Sequence, residues 1–371
     1  MHPAAVEAML PFLTERFGNP SGAHALARDA RRALDEAREL IADLLGARPG
    51  EVVLTSGGTE ADNLAVLGVA EATGGAPACT TVEHHAVLHA VTHRGGPVVA
   101  VDGRGLIDLD ALAAALDQAD PPVTVLSVTL ANNEIGTVTP LAPVRAVLAE
   151  HAPGAVLHTD AVQAVYWLDL TEAAAPAELL SISAHKFGGP KGVGALVVRD
   201  GVRVAAQLFG GGQERERRSG TPPVAAVVAM ATALAITVDD RKASVERLAP
   251  WRDRLVDGLV ATVPGCRETA VVGGERGHKI AGNAHLCIEG IDSEALLFLL
   301  EREGVLASAA SSCASGAMEP SHVLAAIGVD RDRARGSLRL SLGATTTARD
   351  IDLALAVIPP AVERLRRFDG P

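Results

Sequence analysis

Short apolar runs alternate with helical patterns along the chain from about position 50. The runs are four to eight residues long, rich in Val, Ile and Leu, and bounded by turn residues; they read EVVL, ACTTVE, PVVAVD, VTVLSVTL, AVLHTD and ELLSISA. Between several of them lie helix-like stretches, such as LDALAAALDQ and LAPVRAVLAEH. Strands that are apolar throughout are typical of a sheet buried on both faces. The pattern predicts an α/β fold with a largely parallel sheet covered by helices.

The C-terminal third has a different pattern. A long helical stretch, PVAAVV to LVATV, is expected to break at Pro250, since proline lacks the N–H that an interior helical position donates. After it come a strand (NAHLCIEG), a helix (SEALLFLLERE), a strand (SLRLSL) and a closing helix (TARDIDLALAVIPPAVERLRR). This order predicts a smaller α+β domain. We therefore divide the chain into a large domain, 1–240, and a small C-terminal domain, 241–371.

Composition narrows the classes of function. The formal net charge of -12 over 371 residues argues against binding to nucleic acid, which needs clustered Lys and Arg. One basic cluster, Arg215, Arg217 and Arg218, is interleaved with Glu214 and Glu216, and it is typical either of an anion-facing loop or of a solvated turn. No signal peptide and no membrane-spanning run is visible. The four cysteines lie far apart and never form a C-x-x-C pair, so we expect neither a zinc site built from neighbouring thiols nor a framework of disulfides. This use of cysteine fits a protein of the reducing cytoplasm.

The segment TSGGTEADN, positions 55–63, follows a predicted strand and opens a predicted helix. Glycines allow the backbone to approach an anion closely, and the start of a helix offers free N–H groups and the positive end of its dipole. The hydroxyl group of Thr59 adds a donor. The segment indicates a phosphate site, although a Gly-Gly turn with a Thr N-cap also occurs in many α/β folds.

Two further segments place reactive groups at strand ends. In HTDAVQ, Asp160 ends a strand and Gln163 follows; Asp160 suits a cationic partner such as a pyridine nitrogen, although alone it is more simply explained as a helix N-cap. In SAHKFGGPKG, Lys186 directly follows an apolar strand, so we expect a lysine inside a crevice and usable as an amine nucleophile. Ser183 and His185 flank it and can donate to an anion, whereas Lys191 is expected on a surface loop.

These motifs resemble those of the cysteine desulfurases, fold-type I pyridoxal-phosphate enzymes, of the NifS/IscS type. The resemblance covers nearly the whole chain in family order, in the stretches FGNPSGAH, TSGGTEADN, EHHAVL, ANNEIGT, HTDAVQ, SAHKFGGPKGVG, GGGQERERRSGT, SSCASGAMEPSHVL and SLRLSLG. It implies a large domain with a mainly parallel, seven-stranded-type sheet and a smaller C-terminal domain that carries a catalytic cysteine loop. The implied cofactor is pyridoxal 5'-phosphate, and no metal is expected.

The resemblance assigns a role to each matching position. Lys186 is expected to hold the cofactor as a Schiff base, Asp160 to pair with its ring nitrogen, Gln163 to contact its ring oxygen and His84, rather than His85, to stack on the ring and manage protons. The residues expected to hold the phosphate are Gly58, Thr59, Ser183, His185 and, from the partner subunit of a homodimer, Thr221. Asn133 is expected to contact the cofactor and, with Arg339, to bind the amino-acid end of the substrate, with Arg339 as a bidentate clamp on the carboxylate.

Cys313 is the residue that distinguishes between the candidate reactions. It lies in a run of small and polar residues, ASAASSCASGAMEP, which favours an exposed thiol, whereas Cys287 in HLCIEG is typical of a buried cysteine. The family pattern makes Cys313 the acceptor of sulfur from L-cysteine, giving L-alanine and a persulfide for a sulfur-acceptor protein, in iron–sulfur cluster assembly, thiolation or another pathway. A selenocysteine lyase or another class-V aminotransferase-type enzyme, and a non-catalytic sulfur-transfer scaffold, are the alternatives.

The sequence departs from the family pattern in two places. The family pattern opens on a strand that reads roughly Y-L-D-N-x-A-T-T, whereas the sequence opens on MHPAAVEAML. Either the true start lies upstream, or the protein works without that strand, or it binds or turns over its substrate poorly. At positions 220–223 the chain has GTPP, where the family often has GTEN-like or GTLP-like residues, a mild change near the expected dimer interface.

Overall fold

A computed structural model describes residues 1–309 and 321–368. The chain groups into two compact units, the first formed by 1–99, 108–131 and 139–241, and the second by 100–107, 132–138 and the chain from Lys242 onward. The two short segments were expected in the large domain. They group with the second unit because their partners lie there; Thr137, for example, forms a β-bridge with Lys279, and the Val138 N–H donates to the His278 carbonyl.

The first unit is built on a seven-stranded sheet in the order β1-β7-β6-β5-β4-β2-β3. Its strands are β1 (Val52–Thr55), β2 (Ala76–Thr80), β3 (Val98–Val99), β4 (Val123–Ser127), β5 (Val156–Asp160), β6 (Leu179–Ser183) and β7 (Gly194–Val198). Strands β2 to β6 pair in parallel, and β7 runs antiparallel to both β6 and β1. All strands except β7 therefore point the same way, so their carboxyl ends meet at one edge of the sheet.

Helices cover this sheet. They are α1 (Pro3–Leu13), α2 (Ala25–Leu44), α3 (Gly58–Thr73), α4 (His85–His93), α5 (Leu109–Gln118), α6 (Leu141–His151), α7 (Leu170–Ala173) and the first part of α8 (Val224–Thr262). Helix α3 packs its buried Leu64 and Val69 against Val53, Val125 and Leu196 of the sheet. Every residue of β1, β2, β6 and β7 is buried, as expected of strands covered on both faces.

The second unit contains an antiparallel sheet in the order β10-β9-β8. Its strands are β8 (Cys266–Glu268), β9 (Asn283–Ile288) and β10 (Ser337–Ser341). Its helices after α8 are α9 (Ser293–Arg302), α10 (His322–Ala326), α11 (Arg331–Ala334) and α12 (Ala348–Phe368). The pairing of β10 with β9 places Arg339 opposite His285.

The expected break at Pro250 was wrong, because α8 continues through it for 39 residues. A proline within a helix removes one backbone hydrogen bond, at a cost of about 3 kcal/mol. Apolar residues on both sides of Pro250 are nevertheless fully buried, namely Leu248 at 0% and Val256 at 0% exposure. Burying a side chain of this size contributes about 1.5–3 kcal/mol, so packing on both sides offsets the lost bond.

Candidate active site

The glycine turn after β1 lines a small cleft. Gly57 is the N-cap of α3 and has a φ of 145°, a conformation that L side chains rarely adopt. A Cβ atom on Gly58 would lie 2.8 Å from Cγ2 of Val162, so this position also requires glycine. The cleft has a volume of about 280 Å³, and the turn, Ser183, His185 and Lys191 line it. The start of α3 thus presents free N–H groups where a phosphate would sit.

The segment after β6 brings Lys186 to the same edge of the sheet. Residues Ala184–Lys186 form a 3₁₀ turn directly after Ser183, the last residue of the strand. Lys186 is exposed there, whereas the sequence pattern predicted a lysine inside a crevice. The hydroxyl of Ser183 lies 2.9 Å from Nδ1 of His185. Burial lowers the pKa of His185, and the positive charges of Lys186 and Lys191 lower it further. Lys191 is exposed, as predicted for a loop lysine. It also lines the cleft at the glycine turn, and the sequence interpretation missed this position.

Asp160 ends the neighbouring strand β5 and is only 7% exposed. Its Oδ1 atom accepts a hydrogen bond of 2.9 Å from the Val162 N–H. Burial raises the pKa of Asp160, while that hydrogen bond and the charge of Lys186 lower it. A buried carboxyl group of this kind is stabilised by a cationic partner, which a protonated pyridine nitrogen provides. Gln163, three residues on, is half-buried.

Three further buried polar side chains, of His158, Asp62 and Glu83, lie in the same unit as Asp160, and sequence reasoning missed them. The His158 ring hydrogen-bonds Ser127 at 2.8 Å and Ser181 at 2.9 Å, and burial lowers its pKa to about 3. Burial also raises the pKa of Asp62 well above its usual range and that of Glu83 to about 8, and the charge of Asp160 raises both. A charged residue close to the end of a buried strand, as in ACTTVEHH, was the available signal for Glu83.

His84 is the N-cap of α4, where its Nδ1 atom accepts from the Ala86 N–H at 3.1 Å. His84 and His85 are both exposed and line a cleft of about 620 Å³ that also includes Thr59. Their ring centroids lie 6.4 Å apart with the planes tilted by 59°. His85 instead lies 4.8 Å from the ring of His89, one turn further along α4.

In the second unit the structure brings Asn133 and Arg339 together. Nη1 of Arg339 donates to the Asn133 carbonyl at 3.1 Å. The Nε atom of Arg339 is buried and has no hydrogen-bond partner. Within residues 1–309 and 321–368, no carboxylate forms an ion pair with this guanidinium group. A buried donor without a partner is costly, so the geometry fits an arginine that binds an external carboxylate.

The basic cluster is partly tied down by ion pairs and hydrogen bonds, although Arg215 and Glu216 are exposed as in a solvated turn. Arg218 binds Glu60 in a salt bridge of 2.8 Å, and the Arg215 side chain donates to the Gly50 carbonyl. Glu214 accepts two hydrogen bonds from Arg38, of 2.6 and 2.7 Å. Glu214 also accepts from the Leu54 N–H of β1 at 2.9 Å, so the cluster anchors its own loop to α2, α3 and β1. Thr221, at the end of the same loop, is exposed.

Three of the four cysteines are described, and all three are buried as free thiols. Cys79, Cys266 and Cys287 are 0%, 4% and 1% exposed. Burial raises the pKa of each, to about 11 for Cys266 and about 12 for Cys287, which leaves little thiolate at neutral pH. Cys313 lies outside the described residues. The part of the chain that is described contains no cluster of three or more potential metal ligands, and none of its helices has the length and apolar character needed to cross a bilayer.

The family model for class-V aminotransferases matches residues 1–354. The chain belongs to the class-V aminotransferase family. The cofactor of this family is pyridoxal 5'-phosphate, as predicted. The first unit fits that group, since it offers a glycine-lined anion cleft, a buried carboxyl group and a lysine at adjacent strand ends.

Members of the class-V family that resemble this chain include named desulfurases. The chain is 47% identical to an IscS-like cysteine desulfurase of Mycobacterium tuberculosis, over 99% of this chain and 95% of that protein. It is 40% identical to the cysteine desulfurase IscS of Methanosarcina thermophila, over 98% and 89% respectively. A solved NifS-like protein superposes with a TM-score of 0.88 at 31% identity, covering 98% of this chain and 97% of that one. The predicted fold, that of fold-type I pyridoxal-phosphate enzymes, is therefore confirmed.

Proposed function

We propose that the protein is a pyridoxal-phosphate-dependent cysteine desulfurase, which converts L-cysteine to L-alanine and retains the sulfur as a persulfide on Cys313. The observation that carries this proposal is the placement of Lys186 and the buried carboxyl group of Asp160 after the ends of two neighbouring strands, in a chain whose full-length relatives are named cysteine desulfurases. A non-catalytic scaffold would have no need to keep a lysine beside this buried carboxyl group.

The residues of the first unit are suited to hold the cofactor. Gly58, Thr59, Ser183 and His185 would bind its phosphate in the cleft at the start of α3. Asp160 would bind the ring nitrogen, Gln163 the ring oxygen, and Lys186 would attach through its amine. His84 would stack on the ring. When bound, the cofactor supplies an electron sink for the carbanion at the substrate's α-carbon.

The protein's own side chains then perform four tasks. Lys186 acts as base at the substrate's α-carbon, while Arg339 and Asn133 bind the substrate's amino-acid end. Asp160 keeps the ring nitrogen protonated. The thiolate of Cys313 attacks the substrate sulfur, so a sulfur–sulfur bond forms and the bond between Cβ and sulfur breaks. The substrate carbon takes up a proton and is reduced to the methyl group of alanine while the two sulfurs become a persulfide, so no external oxidant is needed.

The test is to assay Cys313→Ala with L-cysteine. The variant is expected to bind the cofactor and to change its absorption on adding cysteine, yet to lose nearly all production of alanine and sulfide. Cys287→Ala is the matched control, because that thiol is buried and has a raised pKa. Normal turnover of cysteine by the Cys313 variant would contradict the mechanism. Loss of cysteine turnover together with normal turnover of selenocysteine would favour a selenocysteine lyase.

We infer further that the protein acts as a homodimer, in which Thr221 binds the phosphate of the cofactor in the partner subunit. Thr221 is exposed, and the same loop exposes Phe209 by 85% and Leu208 by 44%, apolar area that a second copy would cover. Sedimentation at micromolar concentration is expected to give a dimer. A monomer with full cofactor occupancy would refute this arrangement.

The persulfide is expected to pass to a sulfur-acceptor protein, in iron–sulfur cluster assembly, thiolation or another sulfur pathway. Three free, buried thiols suit a reducing compartment, and we place the protein in the cytoplasm on that ground. The test of this transfer is to add ³⁵S-labelled cysteine and to measure the label on co-purified proteins. We expect label on these proteins with wild type and none with Cys313→Ala. Label retained only on the enzyme would argue against a protein acceptor.

A further inference from the structure

Hydrogen bonds within the loop and to strand β9 hold the loop that carries Asn133. The side-chain oxygen of Asn132 accepts from the N–H groups of Glu134 and Ile135, at 2.9 and 3.0 Å. The Glu134 carbonyl accepts from the side-chain amide of Asn283 on β9, at 3.0 Å. Gly136 has a φ of 76°, and a Cβ atom there would lie 2.8 Å from the side chain of Asn283. The backbone of this loop is therefore held against β9.

The Glu134 side chain connects this loop to a part of the chain 187 positions away. The hydroxyl of Ser321 donates to Oε2 of Glu134 at 2.5 Å, and both residues are buried, at 6% and 7% exposure. The same Ser321 oxygen caps α10 by accepting from the N–H groups of Val323 and Leu324, at 3.1 and 3.2 Å. A serine has one hydroxyl proton, so here that proton is committed to Glu134.

Glu134 is the sequence neighbour of Asn133, which contacts Arg339, but Glu134 forms no ion pair with Arg339 among the described residues. Its neighbour Asn133 accepts from Nη1 of Arg339 at 3.1 Å, and the Arg339 backbone exchanges hydrogen bonds with Ser308 at 2.7 and 3.1 Å. Burial raises the pKa of Glu134, while the Ser321 hydrogen bond and the charges of His322 and Arg339 lower it.

We propose that Glu134 is a positioning residue, which through its hydrogen bond to Ser321 fixes the Asn133 carbonyl and so aims the Arg339 guanidinium at the carboxylate of an amino-acid substrate. The inference rests on the proposed function, since it takes Arg339 as the carboxylate ligand. Glu134 itself would not touch the substrate. Its loss should therefore weaken recognition of the carboxylate group and leave recognition of the amine unchanged.

The experiment compares L-alanine with L-alaninamide, which keeps the amine and lacks the carboxylate. Binding of each to the holoenzyme is followed by the change in cofactor absorption. Glu134→Ala is expected to weaken alanine binding about tenfold, the loss that corresponds to one hydrogen bond to a charged group, and to leave alaninamide binding within about twofold. Glu134→Gln, which keeps an acceptor for Ser321, is expected to behave as wild type. Glu303→Ala, on an exposed glutamate, is the control.

Ser321→Ala removes the other partner and provides a second variant should Glu134→Ala not fold. It is expected to give the same selective loss of alanine binding, and the double variant is expected to lose no more than either single one. Equal weakening of both ligands, or no weakening, would overturn the inference while leaving the proposed function intact. If wild type gave no absorption change with L-cysteine or L-alanine, the proposed function itself would fail.

Discussion

The two units hold their candidate site residues by different means. In the first unit Asp160 and Lys186 follow the carboxyl ends of two neighbouring buried strands, so the sheet itself places them. In the second unit Asn133 lies on a loop, and Arg339 contacts it through a single hydrogen bond to a carbonyl group. The difference suggests a division of labour. Changes in the first unit should act mainly on the chemical step, and hence on kcat, whereas changes in the second should act mainly on substrate affinity, and hence on KM.

The largest effect is expected from Lys186→Ala. This change removes both the attachment point of the cofactor and the base, and general base catalysis alone contributes about 10²–10⁴-fold to a rate. Turnover should therefore fall at least about a thousandfold. The chain has four lysines, Lys186, Lys191, Lys242 and Lys279, so borohydride reduction and peptide mapping can identify the one that carries the cofactor.

The reduced adduct should map to Lys186 in wild type and disappear in the variant. Lys242→Ala, on an exposed lysine outside the cleft, is the matched control and should keep both adduct and turnover. An adduct retained on another lysine of the Lys186 variant would show that Lys186 is not the residue that holds the cofactor.

A smaller loss, on the order of 10²-fold in kcat, is expected from Asp160→Asn, because the amide cannot stabilise a protonated ring nitrogen. The KM for cysteine should change little, since Asp160 is not expected to contact the substrate carboxylate. Steady-state kinetics at saturating cofactor would measure both quantities. A variant with unchanged kcat and raised KM would contradict the assignment of Asp160 to the chemical step.

Strand ends are also what made the first unit predictable from the sequence. A lysine just past SISA and an aspartate at the end of AVLHTD are local patterns, and the structure places both where parallel strands end. The antiparallel strand β7 was missed although GALVV is a short apolar run; its direction and its place beside β1 depend on pairing with a distant segment. The Glu134–Ser321 hydrogen bond was missed for the same reason, since nothing local in ANNEIGT indicates a partner 187 residues away.

In the second unit, Arg339→Lys is expected to raise KM for cysteine about tenfold with a smaller change in kcat. Lysine keeps the charge but loses the bidentate geometry that a guanidinium group offers to a carboxylate. The kinetic constants for cysteine and the binding of L-alanine would both report the loss. Arg335→Lys, on an exposed arginine of the same unit, is the control. A fall in kcat at unchanged KM would show that the proposed division of labour is wrong.

The smallest effects are expected for the buried cysteines, and they sharpen the contrast with Cys313. Cys79 lies in the first unit, and Cys266 and Cys287 lie in the second, so the set samples both. Each thiol is almost fully covered and its pKa is raised by burial, so none has the exposure or thiolate fraction needed to attack a substrate sulfur.

Replacing each by Ala should leave turnover of cysteine within about twofold and cost about 1 kcal/mol of unfolding free energy, as expected for a small cavity in a packed core. Denaturant unfolding and the alanine assay measure the two quantities on the same samples. A large loss of turnover without loss of stability in any of the three would mean that a second thiol takes part in sulfur transfer.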